Sequence, residues 1–416
     1  MGAEPTSSGE APEARGATLV IFIDGAFTRP ENGSHVRFLD LVTFAADRFA
    51  SVTLYSFKDH PTYPWTDTAV AEFAARFPGV NLIVEPRGRA VRLLTKVKNA
   101  VIALFPSLAR HVLRWKAPGA TPAYERLLQS PGGVVLVLNF VDAASILNGL
   151  PGGGFVIETH DVKFLKHSKR FKQPTNTLRV LAKYRSEIAI WRLASALVAI
   201  SPVDATLMQT LADDTRVFYV PSYGRAAPAP APLEPEGGFD FDLLFVGADN
   251  ELNAMGLARF IEANAGWLER RRMAVAGHVC DNPMVASVLA HRPHCVSFGF
   301  QDDLAPLYAR SKAALSPVDG TGLKIKVVDA LAHGKPVFGS AHALAGLPPG
   351  FEECVFPARQ QEMDALLDDA ERLRRSEKAA LAYYQKFQQS GNLVLFEAFL
   401  QRQLSGHEPL GLRRRW

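Results

Sequence analysis

The chain has 416 residues, with 46 Lys and Arg against 42 Asp and Glu, a net charge of +4, and 48% hydrophobic residues. That is the composition of an ordinary globular protein long enough for two domains. Three cysteines in so long a chain argue against a disulfide framework and suit a reducing cytoplasm. No apolar run reaches the roughly 18–20 residues of a membrane span, and the small net charge without a recognition motif argues against nucleic acid as a partner.

Residues 1–16 are rich in Glu, Pro, Ser and Ala, lack the apolar core of a secretory leader, and are expected to be a disordered tail. Short β-branched runs then alternate with helical patterns. Strands are predicted at Thr18–Ile23, Ser51–Phe57, Asn81–Val84, Val134–Leu138, Phe155–Ile157, Ala196–Ile200 and Val217–Val220. Such alternation implies a parallel sheet covered on both faces, spanning residues 17–222. The loop Asn32-Gly33-Ser34 opens the first helix. Glu158-Thr-His160-Asp161 follows the fifth strand, and a His-Asp pair at a strand's carboxyl end stands where α/β proteins keep their chemistry.

Residues 223–239 are rich in Pro, Ala and Gly, a linker composition. The pattern restarts over 240–375, with strands predicted at Phe241–Val246, Met273–Gly277, Cys295–Phe298, Ala313–Ser316 and Pro336–Gly339. The expected fold is therefore α/β, two Rossmann-like domains facing a central cleft, with the ligand beyond the strand ends. Residues 376–416 are read as C-terminal helices, with one helical stretch over Ser376–Leu404. Asp240-Phe-Asp242 is a D-x-D before a strand and is read as solvated. His278, Cys280, His291, His294 and Cys295 form a loose cluster whose spacing matches no standard zinc site, and no metal is expected.

The most informative stretch is Asp319–Pro336. Gly320 and Gly322 flank Thr321, Lys324 and Lys326 follow, and an amphipathic helical run closes on Gly334 and Pro336. A helix N-terminus with exposed amides binds anions. Acids rather than lysines normally favour that position, so a bound anion would explain the lysines. Asp329 lies one turn further on, about 4.5 Å along the axis, on the side read as that of Lys326, within reach of the next group of a phosphate ligand. The pattern points to a nucleoside-diphosphate site.

This stretch resembles the signature of the retaining GT-B glycosyltransferases of family 4 (glycosyl transferases group 1), and the likeness extends over nearly the whole chain. The resemblance implies a transferase that moves a sugar from a nucleotide-sugar donor to a glycan, lipid-linked or other acceptor, without metal or other cofactor. It places His160 and Asp161 near the donor sugar, and Gly33, Gly247, Asn253, Gly277, Thr321, Gly322, Lys324, Lys326 and Asp329 at the donor. It also has the C-terminal helices cross back onto the first domain. Thr321 and Asp329 stand where that family usually carries two glutamates, so the first carboxylate is missing or supplied by Asp319. Two rivals stand beside this reading: a nucleotide-sugar epimerase of the same fold, and a non-catalytic protein that binds sugar nucleotides.

Between Glu85 and Glu125 the chain has no acid. Arginines and lysines from Arg87 to Lys116 interleave there with large apolar residues. Further basic runs lie at Lys163–Lys172 and Arg413–Arg415. Basic amphipathic composition of this kind points to an anionic membrane surface, and the expected location is cytoplasmic, peripheral at the inner face of the membrane.

Overall fold

A computed structural model describes residues 17–151, 154–170, 177–225, 238–320 and 322–406; of 167–170 only the backbone is described. The disordered-tail reading of 1–16, most of the linker, Thr321 and the basic run near the C-terminus fall outside these residues.

Seven strands form the first sheet: β1 (Thr18–Phe22), β2 (Val52–Phe57), β3 (Val80–Glu85), β4 (Val134–Asn139), β5 (Phe155–Glu158), β6 (Ala196–Ala199) and β7 (Arg216–Tyr219). Six form the second: β8 (Phe241–Val246), β9 (Met273–Ala276), β10 (Cys295–Gly299), β11 (Ser311–Ser316), β12 (Val337–Gly339) and β13 (Val355–Pro357). All pairings are parallel, in the orders β3-β2-β1-β4-β5-β6-β7 and β10-β9-β8-β11-β12-β13. Each predicted strand is present. The short β13 was not anticipated, because three apolar residues after an acidic turn carry no period.

Successive strand side chains point to opposite faces, so β1 feeds two cores. Val20 and Phe22 join one with Leu136 and Trp191, while Leu19 and Ile21 join the other with Leu54, Phe38 and Val42. The second sheet is covered on both faces in the same way. In each sheet the strand order reverses beside its first strand, between β1 and β4 and between β8 and β11. Crevices at the carboxyl ends of the strands open at those reversals.

The stretch read as one helix over Ser376–Leu404 is two. Ala370–Gln389 stays on the second domain, where Ala380 and Tyr383 pack with Val327 and Leu331. Leu393–Leu404 lays Phe396, Phe399 and Leu400 into the core of the first. The break is Gly391, at φ +93°, where a Cβ would lie 2.4 Å from the carbonyl oxygen of Tyr219. The next amide, Asn392 N–H, donates to that oxygen at 2.6 Å. A side chain at 391 would push the crossing segment off the end of β7.

A buried network ties the first sheet to the start of the linker. Arg37 donates to Glu158 at 2.5 Å and to the carbonyls of Val220 and Pro221, and Tyr223 donates to the other oxygen of Glu158 at 2.5 Å. Of the D-x-D residues, Asp240 is solvated as expected, its side chain 44% exposed, whereas Asp242 is not, at 15%. Asp240 pairs with Arg310 at 2.5 Å and Asp242 with Lys312 at 2.8 Å, fastening the start of β8 to its neighbours.

Candidate active site

The loops after β8 and β11 meet at the reversal point of the second sheet. Gly247 and Gly277 allow the close approach. Gly277 has φ +95°, and a Cβ there would lie 2.3 Å from the Gly247 oxygen. Asn250 caps the helix Glu251–Ala263 by accepting from Asn253 N–H. The Asn253 amide then donates to the Ala248 carbonyl, leaving its Oδ1 as an acceptor. Lys326 donates to that oxygen at 2.8 Å and lies over the Phe245 ring, 4.4 Å from its centroid. Burial, with the charge of Lys324 behind it, pushes the Lys326 ammonium down to about 7.

Lys326 belongs to the first turn of the helix Ile325–Ala332, which has no acid in that turn and no side chain capping its N-terminus. Lys324 stands at the cap position and donates to the Gly322 carbonyl at 3.3 Å. Two cations at an uncapped helix start make an arrangement favourable to an anion.

The opposite wall of the cleft is the end of β5. Gly322, at φ +72°, faces it: a Cβ there would lie 3.0 Å from Asp161 Oδ1 and 3.3 Å from the His160 carbonyl. Asp161 pairs with Lys166 at 2.7 Å. The His160 ring is wedged between Phe38 and Phe140, and its Nε2 lies 3.3 Å from Asn139 Oδ1. Burial, then the positive charges of Arg37, Lys163 and Lys166, hold its imidazole well below the usual histidine range. It is therefore neutral at ordinary pH. Gly33 opens the helix Gly33–Arg48 from the first sheet, and a Cβ on it would come within 3.0 Å of Ile325. The two domains touch there.

The structure thus brings Gly247, Gly277, Asn253 and Lys326 together, and sets Gly322 against His160 and Asp161. Asp329 lies elsewhere. Its carboxylate takes the Tyr308 hydroxyl and faces Arg225 at 3.7 Å, in a small pocket that also includes Arg37, Asp40 and Tyr384. Lys326 and Asp329, read as sharing a side of the helix, turn to different neighbours. Ser201 caps the helix Pro202–Leu211, and its hydroxyl donates to the Asp204 carboxylate at 2.7 Å. Sequence reasoning missed three groups. Asp204 is a buried carboxylate that feels both Asp161 and Lys324, and the Ser-Pro-Val-Asp capping pattern could have flagged it. Phe245 under Lys326 reads as a core strand residue, and Arg225 as part of a linker.

Among the described residues no group of three or more His, Cys, Asp and Glu is placed to hold a metal ion. In the loose His/Cys cluster, His278 stacks on Phe300, while the Cys280 thiol contacts the Val275 carbonyl and Cys295 is buried.

Residues 240–376 match the family Glycosyl transferases group 1. No curated protein matches the chain by sequence. Solved structures similar to it include sucrose-phosphate synthase from Thermosynechococcus elongatus, at 14% identity and TM-score 0.60, covering 94% of this chain and 100% of that one. HepE of Anabaena in complex with UDP is similar at 14% identity and TM-score 0.57, with 94% and 100% covered. A TarM mutant from S. aureus in complex with UDP is similar at 8% identity and TM-score 0.58, with 93% and 99% covered.

Proposed function

We propose that this chain, which has a two-domain GT-B fold and whose residues 240–376 match Glycosyl transferases group 1, is a glycosyltransferase that moves a sugar from a nucleoside-diphosphate donor to an acceptor held by the first domain. The observation that carries this reading is Lys326. It is a desolvated lysine at a helix start, facing the cleft, whose hydrogen-bond acceptor is an amide oxygen rather than a carboxylate. Such a cation suits an anionic leaving group. HepE in complex with UDP and with UDP-glucose has the same fold, which supports a nucleotide sugar as the donor.

In this reading Lys326, Lys324 and the amides after Gly322 hold the diphosphate and stabilise the charge that develops as the sugar leaves. Asp329 serves the ribose hydroxyls only if its carboxylate leaves Tyr308 and Arg225 and turns toward the Lys326 side. His160, neutral and fixed by Phe38, Phe140 and Asn139, hydrogen-bonds the sugar or its phosphate. Asp161 stands across from Gly322, with Lys166 holding its other oxygen. Cations and amides then do the work that a metal does elsewhere, and the new bond keeps the stereochemistry of the old one.

The test is to incubate the protein with a panel of nucleotide sugars and follow slow donor hydrolysis, with and without EDTA. Turnover of one donor that survives chelation is expected. Donor binding without any turnover would instead favour a non-catalytic binder. Loss of turnover in EDTA, restored by a divalent ion, would overturn the account of the leaving-group site.

A further inference from the structure

The helix Arg89–Leu104 carries apolar residues on both its buried and its exposed sides. A surface helix ordinarily buries its apolar stripe and shows its polar face. Here the inward stripe is Val91, Thr95, Lys98 and Ile102. The Lys98 ammonium is buried and donates to the Leu147 carbonyl at 2.9 Å, and burial pushes it down to about 8. On the opposite side Leu93, Val97, Ala100 and Leu104 follow at helical spacing. They face outward, with Leu93 65% and Leu104 64% exposed. Arg89 and Lys96 flank this stripe at helical spacing and are themselves exposed. Phe105, just after the helix, is 57% exposed.

The helix Thr177–Trp191 packs beside this one, and Arg185 donates to the Leu104 carbonyl at 3.2 Å. It adds Leu178, 75% exposed, and Leu181. The two helices together carry a single carboxylate, Glu187, and it is buried under the amides of Lys163 and Phe164. The exposed face is therefore apolar in its centre and basic at its margin. The sequence signal covered only the first of these helices.

We infer that this two-helix face docks on an anionic phospholipid bilayer, with Leu93, Leu104, Phe105 and Leu178 entering the headgroup boundary and Arg89, Lys96 and Arg179 meeting lipid phosphates. Charge complementarity selects that occupant. Each of these cations contributes to attraction toward a negative surface, the leucines supply the apolar area that interfacial binding needs, and no helix among the described residues is long and apolar enough to cross a membrane. The Thr177–Trp191 helix also packs on the helix Lys163–Arg170, whose first residues flank His160. A docked face would thus hold the cleft close to the bilayer, and an acceptor carried by a lipid could reach it. The docking itself is independent of the transfer reading, since vesicle binding is measured without donor.

The experiment is co-sedimentation of the full chain with phosphatidylglycerol-containing or pure phosphatidylcholine vesicles at low and high salt. Pelleting is expected with the anionic vesicles at low salt, weakening as salt rises, and absent with phosphatidylcholine. Arg89→Glu/Lys96→Glu/Arg179→Glu should lower partitioning by roughly a hundredfold or more. Leu93→Ser/Leu104→Ser should lower it while keeping the wild-type affinity for a nucleoside diphosphate, which reports an intact fold. No pelleting of wild type with anionic vesicles would overturn the inference, as would variants that pellet like wild type. If the leucine variant instead abolished a concentration-dependent dimer, with no vesicle binding in wild type, a second copy of the chain would be what covers this face.

Discussion

Two lysines bracket the signature helix, and their surroundings differ. Lys335, just past its C-terminus, is buried and meets Glu377 at 2.9 Å, tying the helix to Ala370–Gln389. Lys326, in its first turn, meets an amide oxygen and an aromatic ring. A buried cation paired with a carboxylate is satisfied, and its role ends with the fold. A partly buried cation given only neutral acceptors, as Lys326 is, costs more to keep charged than a paired one. It is tolerable where a ligand supplies the missing negative charge. The same residue type, nine positions apart in sequence, is a brace at one end and an open socket at the other.

The largest effect should come from breaking the brace. Glu377→Ala leaves the Lys335 ammonium buried without its carboxylate, and removing one partner of such a pair costs about 3–5 kcal/mol. Urea unfolding should show that loss, and a change below about 1 kcal/mol would mean that Lys335 is not the structural member of the two. Lys326→Ala should do the reverse. Stability should change little, while binding of a nucleoside diphosphate weakens by about 1.5–3 kcal/mol, the worth of a charge-assisted contact. Nucleoside binding should be almost untouched. Equal diphosphate affinity in wild type and mutant by calorimetry would remove Lys326 from the site.

The fold was legible because parallel sheets read as apolar runs between helical patterns, and residues such as Leu19–Phe22 and Val135–Leu138 are buried on both faces. The placing of Lys324 and Lys326 at an uncapped, acid-free helix start was legible because lysines there contradict what a bare helix start prefers. What stayed hidden depends on direction rather than composition. The turn of Asp329 toward Tyr308 and Arg225 depends on residues far from it in sequence, one on the second domain and one at the start of the linker. Asp242 looks solvated until Lys312, far along the chain, is brought beside it. Gly391 ends a helical pattern whose periodicity continues on both sides, and only the close approach to Tyr219 shows why glycine stands there.

The difference between the lysines should also be visible in pH. Free Lys326 loses its proton near pH 7, and a bound diphosphate favours the charged form, so binding above pH 7 takes up a proton. Below pH 7 the lysine is charged in both states and contributes no pH dependence. As pH rises through 7 the wild-type affinity should fall, by at most about tenfold per pH unit. The ligand's own ionisation acts on wild type and Lys326→Ala alike, so the ratio of their affinities isolates the lysine. A ratio constant from pH 6 to 9 would show that Lys326 is not the proton acceptor.

The smallest effect on stability, and the sharpest test of the contrast, is Asn253→Asp. The substitution puts a carboxylate where Lys326 now meets an amide oxygen, at 2.8 Å. It gives Lys326 the kind of partner that Lys335 has. The new ion pair gains up to about 1 kcal/mol. Aspartate, however, cannot donate to the Ala248 carbonyl as the Asn253 amide does at 2.9 Å, and that loss is of similar size, about 0.5–1.5 kcal/mol. Net stability should therefore stay within about 1 kcal/mol of wild type. The carboxylate favours the ammonium, so the Lys326 pKa should rise above 7 and the fall in diphosphate affinity between pH 7 and 8 should disappear. At pH 6 affinity should drop through repulsion between the new carboxylate and the ligand, but by less than in Lys326→Ala, since the ammonium remains. If the affinity of Asn253→Asp kept the wild-type fall above pH 7, the neutral acceptor at 253 would not be what leaves Lys326 open to an anion.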